Sequence, residues 1–362
     1  MKILQIINSL ATGGAEKLIL DTVPLYNAKG LEMDVLVLNG TQQPFLEKLK
    51  QLECCSVFSL GNLSVYNPIL IFKIIPYLRK YDVVHVHLFP ALYWVALAKV
   101  LSFAKVKLVF TEHNTNNRRM NSKIFRVFDK IAYSFYKAVI CITTEVQTVL
   151  LEHLKQTKSK FPIINNGVDL NAIQKAQAYE KEFIEKKYVA SDVLLIQVAG
   201  FREQKDQPTL IKALKHLPAN VKLLLVGEGV LRKECEALVA QLNVEERVTF
   251  LGLRMDIPAL LKTADFIILS SKYEGLSLSS IEGMAAGKPF LASNVPGLSD
   301  VVQGAGVLFE QGNAKELAEL ILKLHTDQAA YQAVATACSL RASQFDIQIM
   351  VDKHIALYES IG

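Results

Sequence analysis

Two carboxylates, Glu274 and Glu282, bracket the seven-residue run that begins Gly275-Leu276-Ser277-Leu278-Ser279. An ionised carboxylate offers only acceptor sites and can take hydrogen bonds from two hydroxyls at once, which suits the recognition of a polyol. The run lies where a strand at 266–269 gives way to a helix that the pattern opens near Ser279 and closes at Gly287, before Pro289. Unpaired N–H groups and the positive end of a helix dipole meet at such a point, a ready seat for phosphate. Glu282 has a second reading. Ser279-Ser280-Ile281-Glu282 has the spacing of a capping box, with the glutamate at the third helical position reaching back to the serine. The two roles are compatible. Glu274, in a loop after Tyr273, has no capping role, and its plainer alternative is a solvated acid.

Gly13-Gly14 follows the first strand and opens the first helix. Without Cβ atoms the pair lets a diphosphate approach backbone N–H groups closely, although an ordinary strand-to-helix turn would use the same residues. Arg202 and Lys205 follow a strand at 193–199. A planar guanidinium fork and an ammonium point charge could together neutralise a leaving diphosphate; the alternative is a solvated surface pair. His113 ends another strand, where a neutral imidazole can both donate and accept toward hydroxyls. His85 and His87 alternate within one strand and so share a face. A metal site there would need a third ligand that the sequence does not show, which leaves packing or lining roles. Gly227-Glu228-Gly229 begins like a dinucleotide fingerprint, but Arg232 stands where the third glycine belongs. No Asp-x-Asp pair occurs in the chain. Fixed positive groups, rather than a chelated divalent ion, are therefore expected to meet the charge that develops on a leaving phosphate.

The elements that must position these residues alternate from end to end. Strands are predicted at 2–7, 33–38, 83–87, 107–111 and 138–142, and helices at 15–29, 43–52, 68–80, 91–101 and 123–137. A short strand at 163–164 and a charged helix at 175–187 follow. A second series of strands then begins at 193–199 and continues at 222–226, 248–251, 266–269 and 290–293. Near-continuous apolar strands separated by helical patterns make an α/β protein with parallel sheets covered on both faces. The break near Asn166 divides it into two Rossmann-like halves, and strand carboxyl ends are where such folds hold ligands.

The spacing of Glu274 and Glu282 within E-G-L-S-L-S-S-I-E-G-M-A-A-G-K-P resembles the E-x7-E signature of retaining, GT-B-fold glycosyltransferases of family 4. The other landmarks of that family occur in the expected order across nearly the whole chain. They are Gly13-Gly14, Thr111-Glu112-His113-Asn114, Asn166-Gly167-Val168-Asp169, Gly200-Phe201-Arg202-Glu203-Gln204-Lys205 and Val226-Gly227-Glu228-Gly229.

The resemblance implies two Rossmann-like doubly wound domains facing across a cleft. An acceptor-binding domain at 1–166 would be joined by a returning helix at 345–362, and a nucleotide-sugar-binding domain would span 167–344. His113, Arg202, Lys205 and Glu274 are then the catalytic set: His113 on the donor sugar, Arg202 and Lys205 on the diphosphate, and Glu274 on sugar hydroxyls. Gly13, Gly14, Gly227, Glu228, Gly275, Leu276, Ser277, Leu278 and Glu282 are the implied substrate-binding residues. A UDP-sugar, with a GDP-sugar next, would be a substrate and not a cofactor, and no metal is expected. A hexose or N-acetylhexosamine would pass with retention, the leaving phosphate helping to take the proton of a glycan or lipid-linked acceptor in cell-surface polysaccharide synthesis. A GT-B UDP-sugar epimerase and a non-catalytic nucleotide-sugar-binding subunit are the rival readings, and an NAD-dependent dehydrogenase fits worst. Two departures bear on the donor. Val295-Pro296-Gly297-Leu298 stands where Gly-Gly is usual, with Asp300 in place of a common glutamate, and Phe201 stands where a smaller residue is often found.

Composition sets the outer limits. Of 362 residues, 51% are apolar and 21% charged, with 18 glycines and 11 prolines, which excludes disordered, collagenous and low-complexity chains and fits about two domains. The net charge of +5 suits a phosphate or anionic-headgroup patch better than a nucleic-acid-coating surface. Five scattered cysteines without a CxxC are expected to be reduced thiols in a cytoplasmic setting. The opening MKILQIINSL reads as a strand rather than a signal peptide, and the apolar stretch 88–103 reads as a buried helix rather than a membrane span.

Positive charge gathers at Lys99, Lys105, Lys107, Arg118, Arg119, Lys123, Arg126, Lys130 and Lys137, faced over that span by Glu112 and Asp129. Phe125, Phe128, Ala132 and Phe135 alternate with these bases at helical spacing. Such a helix could dock on anionic lipid at the inner face of a membrane. The expected arrangement is the plainer one, an amphipathic helix packed on the core with a solvated face. Residues 67–80 form a second candidate of the same kind, with Pro76 weakening a continuous helix.

Overall fold

The computed structural model describes residues 1–113, 122–155 and 158–362, with Lys123 described by its backbone. The chain divides into two units, Met1–Gly167 with Ile347–Gly362, and Val168–Asp346. The first is built on a six-stranded parallel sheet of β1 (Lys2–Ile7), β2 (Glu32–Val37), β3 (Val57–Ser59), β4 (Val83–His87), β5 (Lys107–Glu112) and β6 (Tyr136–Cys141), in the order β3-β2-β1-β4-β5-β6. The second repeats the plan with β7 (Val193–Val198), β8 (Val221–Val226), β9 (Val248–Gly252), β10 (Phe266–Leu269), β11 (Phe290–Ser293) and β12 (Val307–Phe309), in the order β12-β11-β10-β7-β8-β9.

In each sheet the strand order reverses once, between β1 and β4 and between β7 and β10. Loops leaving the two strands at such a point diverge and open a crevice at their carboxyl ends. The register there pairs Ile3 with Val83 and Leu195 with Phe266. Both faces of these strands are covered, so β7 and β10 are apolar throughout their centres, and Leu195, Phe266 and Ile268 join the helices in one core.

The differences from expectation have local causes. β3 and β12 are three-residue edge strands, too short to carry a period. The strand expected at 163–164 is an isolated bridge between Ile163 and Cys141. The helix expected at 175–187 is replaced by Leu170–Lys175 and Lys181–Ile184. The intervening backbone is held out of helical form by tertiary bonds: Tyr179 donates from its N–H to Thr263 Oγ1 and from its hydroxyl to Asp256 Oδ2, each at 2.8 Å. Helix propensity is a weak preference that such anchors override. Pro76 does not stop its helix, which runs from Leu70 to Leu78, its four buried residues Leu70, Ile71, Ile74 and Leu78 packing inward while Phe72 stays exposed. The helix Ile347–Ile361 belongs to the first unit and packs on the helix Gly14–Ala28.

The helix Lys123–Ser134 divides its expected apolar stripe: Ala132 is buried and Phe135 half-buried, as a core-packed helix requires, while Phe125 and Phe128 are exposed. Its inward face is given to Asp129, fully buried, which accepts from the Tyr93 hydroxyl at 2.5 Å and meets His153 Nε2 at 2.8 Å. Ala132 and Tyr133 are the apolar residues beside it. With that face committed, Ile124, Val127, Phe128 and Ile131 turn outward and are 54–69% exposed. Arg126 and Lys130 are half-buried between them. Arg118, Arg119 and Asn114 lie outside the described residues. Among the described residues no helix is long and apolar enough to cross a membrane.

Candidate active site

The reversal between β7 and β10 brings together two residues that lie 69 positions apart. Lys205 closes the short turn after β7 and Glu274 stands in the loop after β10, with Lys205 Nζ 2.5 Å from Glu274 Oε1. Ser271 Oγ donates to the same oxygen at 2.6 Å. Glu274 is 7% exposed. It is therefore a buried carboxylate held by an ion pair, and the solvated alternative is excluded. The turn is stitched to both strands: the carbonyl of Lys205 accepts from Gln197 Nε2 at 2.9 Å and from Ser270 Oγ at 3.2 Å. Arg202, three residues earlier, is exposed and makes no ion pair among the described residues.

Backbone geometry holds Glu274 from behind. Its N–H donates to the carbonyl of Pro296 at 3.3 Å. Gly297 has φ +81°, and a Cβ there would lie 2.1 Å from the carbonyl oxygen of Glu274. Glycine alone combines that left-handed backbone with so close an approach. The turn that departs from the family pattern thus keeps the glycine its geometry needs. Gly227 is the second such position, with φ +136° and an added Cβ 2.3 Å from the carbonyl oxygen of Ala199. Glu228 beside it is paired with Arg232, which also reaches Glu236 at 2.8 Å. Phe201, the other departure, is buried and packs on Phe250 at 5.8 Å between ring centres, so its bulk is spent on the core.

The helix after the loop opens near Ser279 as expected, at Leu278, but its N-cap is Ser277 and not Ser279. That shift of register dissolves the expected capping box, because Glu282 falls on the second turn, beyond reach of the cap. Glu282 is buried there, as are Leu276 and Ser277, while Gly275 and Leu278 are half-buried.

In the first unit Gly13 caps the helix Gly14–Ala28. A Cβ on Gly13 would lie 2.2 Å from Glu16 Oε2, so the start of this helix already carries a carboxylate of its own first turn. His113, half-buried after β5, places Nε2 3.2 Å from His87 Nδ1. His87 Nε2 meets Gln5 Oε1 at 2.7 Å. His85 bonds through Nδ1 to the Tyr358 hydroxyl at 2.6 Å and through Nε2 to Thr111 Oγ1 at 2.7 Å. His354 Nδ1 meets the Tyr26 hydroxyl at 2.5 Å. Burial disfavours the charged imidazole. It holds His113 down to about 4 and His354 down to about 3, and keeps His85 and His87 well below the usual histidine range, with neighbouring histidines as a further cause at all but His113. Among the described residues no group of three or more His, Cys, Asp or Glu side chains is placed to hold a metal ion. Gln5, Tyr26, His354 and Tyr358 escaped the sequence reading. The spacing of His354 and Tyr358, one helical turn apart, was the signal that could have found two of them.

Two family profiles divide the chain between them. The one described as "Glycosyltransferase Family 4" matches residues 12–172, and the one described as "Glycosyl transferases group 1" matches residues 180–338. The chain belongs to the group 1, family 4 glycosyltransferases. Several named proteins resemble this glycosyltransferase along most of its length. The UDP-Gal:alpha-D-GlcNAc-diphosphoundecaprenol alpha-1,3-galactosyltransferase of Escherichia coli is 26% identical over 297 residues, 77% of this chain and 76% of that one. The N-acetylgalactosamine-N,N'-diacetylbacillosaminyl-diphospho-undecaprenol 4-alpha-N-acetylgalactosaminyltransferase of Campylobacter jejuni is 25% identical over 358 residues, 94% of each chain. Anabaena HepE, solved in complex with UDP and glucose, superposes with a TM-score of 0.85 at 25% identity over 99% of each chain. The two Rossmann-like units of this glycosyltransferase are those from which GT-B enzymes are built.

Proposed function

We propose that this glycosyltransferase moves a hexose or N-acetylhexosamine from a UDP-sugar, with retention and without a metal ion, to a glycan or lipid-linked acceptor in cell-surface polysaccharide synthesis. The observation that carries the reading is the contact of Lys205 with Glu274 at the strand-order reversal of the second unit. A sugar phosphate presents hydroxyls and an anion side by side, and this pair offers a carboxylate for the first and an ammonium for the second. Arg202, exposed in the same turn, adds a planar fork for the diphosphate. Fixed cations of this kind can stabilise the departing phosphate directly. In the proposed step the C1–O bond to the diphosphate breaks and the bond to the acceptor oxygen forms on the same face, the acceptor's proton passing to a leaving phosphate oxygen. The UDP and glucose bound by HepE and the diphospho-undecaprenol acceptors named for the two enzymes support the choice of donor and acceptor class.

The test is transfer from UDP-glucose, UDP-galactose, their N-acetylated analogues and GDP-mannose to a polyprenyl-diphosphate-linked sugar, in EDTA, with the product anomer read by NMR. A UDP-sugar is expected to react with its configuration retained and its rate unchanged by the chelator. Activity that EDTA abolishes and magnesium restores would refute metal independence. An inverted product would refute the step, and conversion of a UDP-sugar without acceptor would make the protein an epimerase.

A lipid-linked acceptor also gives the outward face of Lys123–Ser134 a role, as a contact with an anionic membrane surface. Ile124, Val127, Phe128 and Ile131 supply the apolar stripe and Arg126 and Lys130 the charge. Each buried Phe or Ile contributes about 1.5–3 kcal/mol. Phe128→Ser with Ile131→Ser is therefore expected to weaken co-sedimentation with phosphatidylglycerol vesicles by at least about tenfold. Equal binding of the unaltered protein to phosphatidylcholine vesicles would remove the electrostatic part, and unchanged binding of the double variant the apolar part.

A further inference from the structure

We infer that Gln5 and His87 are positioning residues that act through His113, fixing its imidazole with hydrogen on Nε2 and leaving Nδ1 bare to accept a hydrogen bond from a sugar hydroxyl. The sugar rests on the function proposed above; the relay does not.

One line of buried and half-buried side chains fixes where the hydrogens sit. Gln5 Nε2 lies 3.3 Å from Met33 Sδ and 3.5 Å from the Tyr358 hydroxyl. A thioether sulfur has no hydrogen to give, so the amide nitrogen of Gln5 must face it and the amide oxygen must face His87. Gln5 Oε1, 2.7 Å from His87 Nε2, carries no hydrogen either, so His87 Nε2 is the donor. A neutral imidazole has a single N–H, which makes His87 Nδ1 an acceptor. His113 Nε2, 3.2 Å away, must then donate to it, and His113 Nδ1 has no hydrogen left. Burial keeps both rings neutral at physiological pH, with His113 at about 4 and His87 well below its ordinary value. A parallel branch agrees. The Tyr358 hydroxyl that accepts from Gln5 can donate to His85 Nδ1 at 2.6 Å, and His85 Nε2 then donates to Thr111 Oγ1 at 2.7 Å.

A bare ring nitrogen accepts from a hydroxyl and repels a phosphate oxygen, so the relay makes His113 a reader of the sugar and not of the diphosphate. The hydrogen positions are set three residues deep by a sulfur that can only accept, which is why the type of residue at 5 and 33 matters at a position neither touches.

Long-range proton–nitrogen correlation spectra of the full chain labelled with [15N]histidine test the relay without any ligand, His113→Asn assigning the His113 signals. The unaltered protein is expected to show His113 as the Nε2–H form. His87→Asn, whose amide oxygen can replace the lost acceptor, should keep that form, whereas His87→Leu should give a mixture or the Nδ1–H form. An Nδ1–H signal in the unaltered protein, or an unchanged single form in folded His87→Leu, overturns the proposal. The sugar part is read separately, from the affinity that UDP-glucose gains over UDP. That gain should fall roughly tenfold in His87→Leu, the size of one hydrogen bond, and persist in His87→Asn. A gain that is the same in both variants overturns the sugar assignment, and a relay spectrum beside it upholds the relay.

Discussion

Glu274→Ala is expected to lower kcat/KM for transfer by about a thousandfold while leaving a folded protein, and Glu274→Gln by about a hundredfold. The carboxylate is almost sealed from water and takes both of its described donors on one oxygen, Lys205 Nζ and Ser271 Oγ. Substrate hydroxyls would add charge-assisted bonds that an amide makes only weakly and alanine not at all. Stability should not follow the same order. Lys205 keeps 19% of its side chain exposed, so once its partner is removed its flexible stem can carry the ammonium to water. Lys205→Met is the harsher change, because it leaves the Glu274 carboxylate with the Ser271 hydroxyl as its partner among the described residues. Breaking a buried pair in that way costs about 3–5 kcal/mol. Chemical denaturation beside steady-state kinetics separates the two effects. Glu274→Ala with normal kcat/KM, or Lys205→Met as stable as the unaltered protein, would contradict the assignment.

Acid is expected to unfold the first unit before the second. His85, His87, His113 and His354 are bonded to one another or to the neutral groups of Gln5, Thr111, Tyr26 and Tyr358. Their folded pKa values lie below the ordinary value near 6.5. Above 6.5 neither the folded nor the unfolded chain is charged at these rings, and the stability is whole. As pH falls below 6.5 the unfolded chain binds protons that the folded one refuses, and stability drops until the folded groups titrate, near 4 for His113 and 3 for His354. Each histidine costs on the order of 1 kcal/mol per pH unit, so four of them remove several kcal/mol by pH 5. A domain holds only about 5–15 kcal/mol. In the second unit His216 and His325 lie at the surface. Hydrogen exchange followed by mass spectrometry at pH 7 and pH 5 should show protection lost first in 1–167 and 347–362. Equal protection of the two units at pH 5 would refute the argument.

Much of this architecture is legible in residue order, because strands covered on both faces must be apolar throughout and the turns after them must be small or polar. Val83–His87 and Phe266–Leu269 are read to the residue. Contacts that depend on sheet order are not legible. Lys205 and Glu274 each look like a solvated loop charge until β7 and β10 are known to be neighbours. The stripe on Lys123–Ser134 shows the converse. Its period announces an apolar face but not its direction, which was decided by Asp129 and its partners Tyr93 and His153 in other helices. The capping box failed by a smaller margin, since an N-cap two residues earlier, at Ser277 instead of Ser279, leaves Glu282 out of its reach.

The helix Ile347–Ile361 has a consequence for how the protein is made. It completes the first unit, and through His354 and Tyr358 it supplies the partners of Tyr26 and His85. A ribosome reaches it after residues 168–346 have all been synthesised. The second unit, continuous in the chain, can close while translation proceeds. The first unit, begun before the second, must hold Tyr26 and His85 without His354 and Tyr358 until Ile347–Ile361 arrives. Synthesis runs from the first unit to the second, and the completion of folding runs the other way.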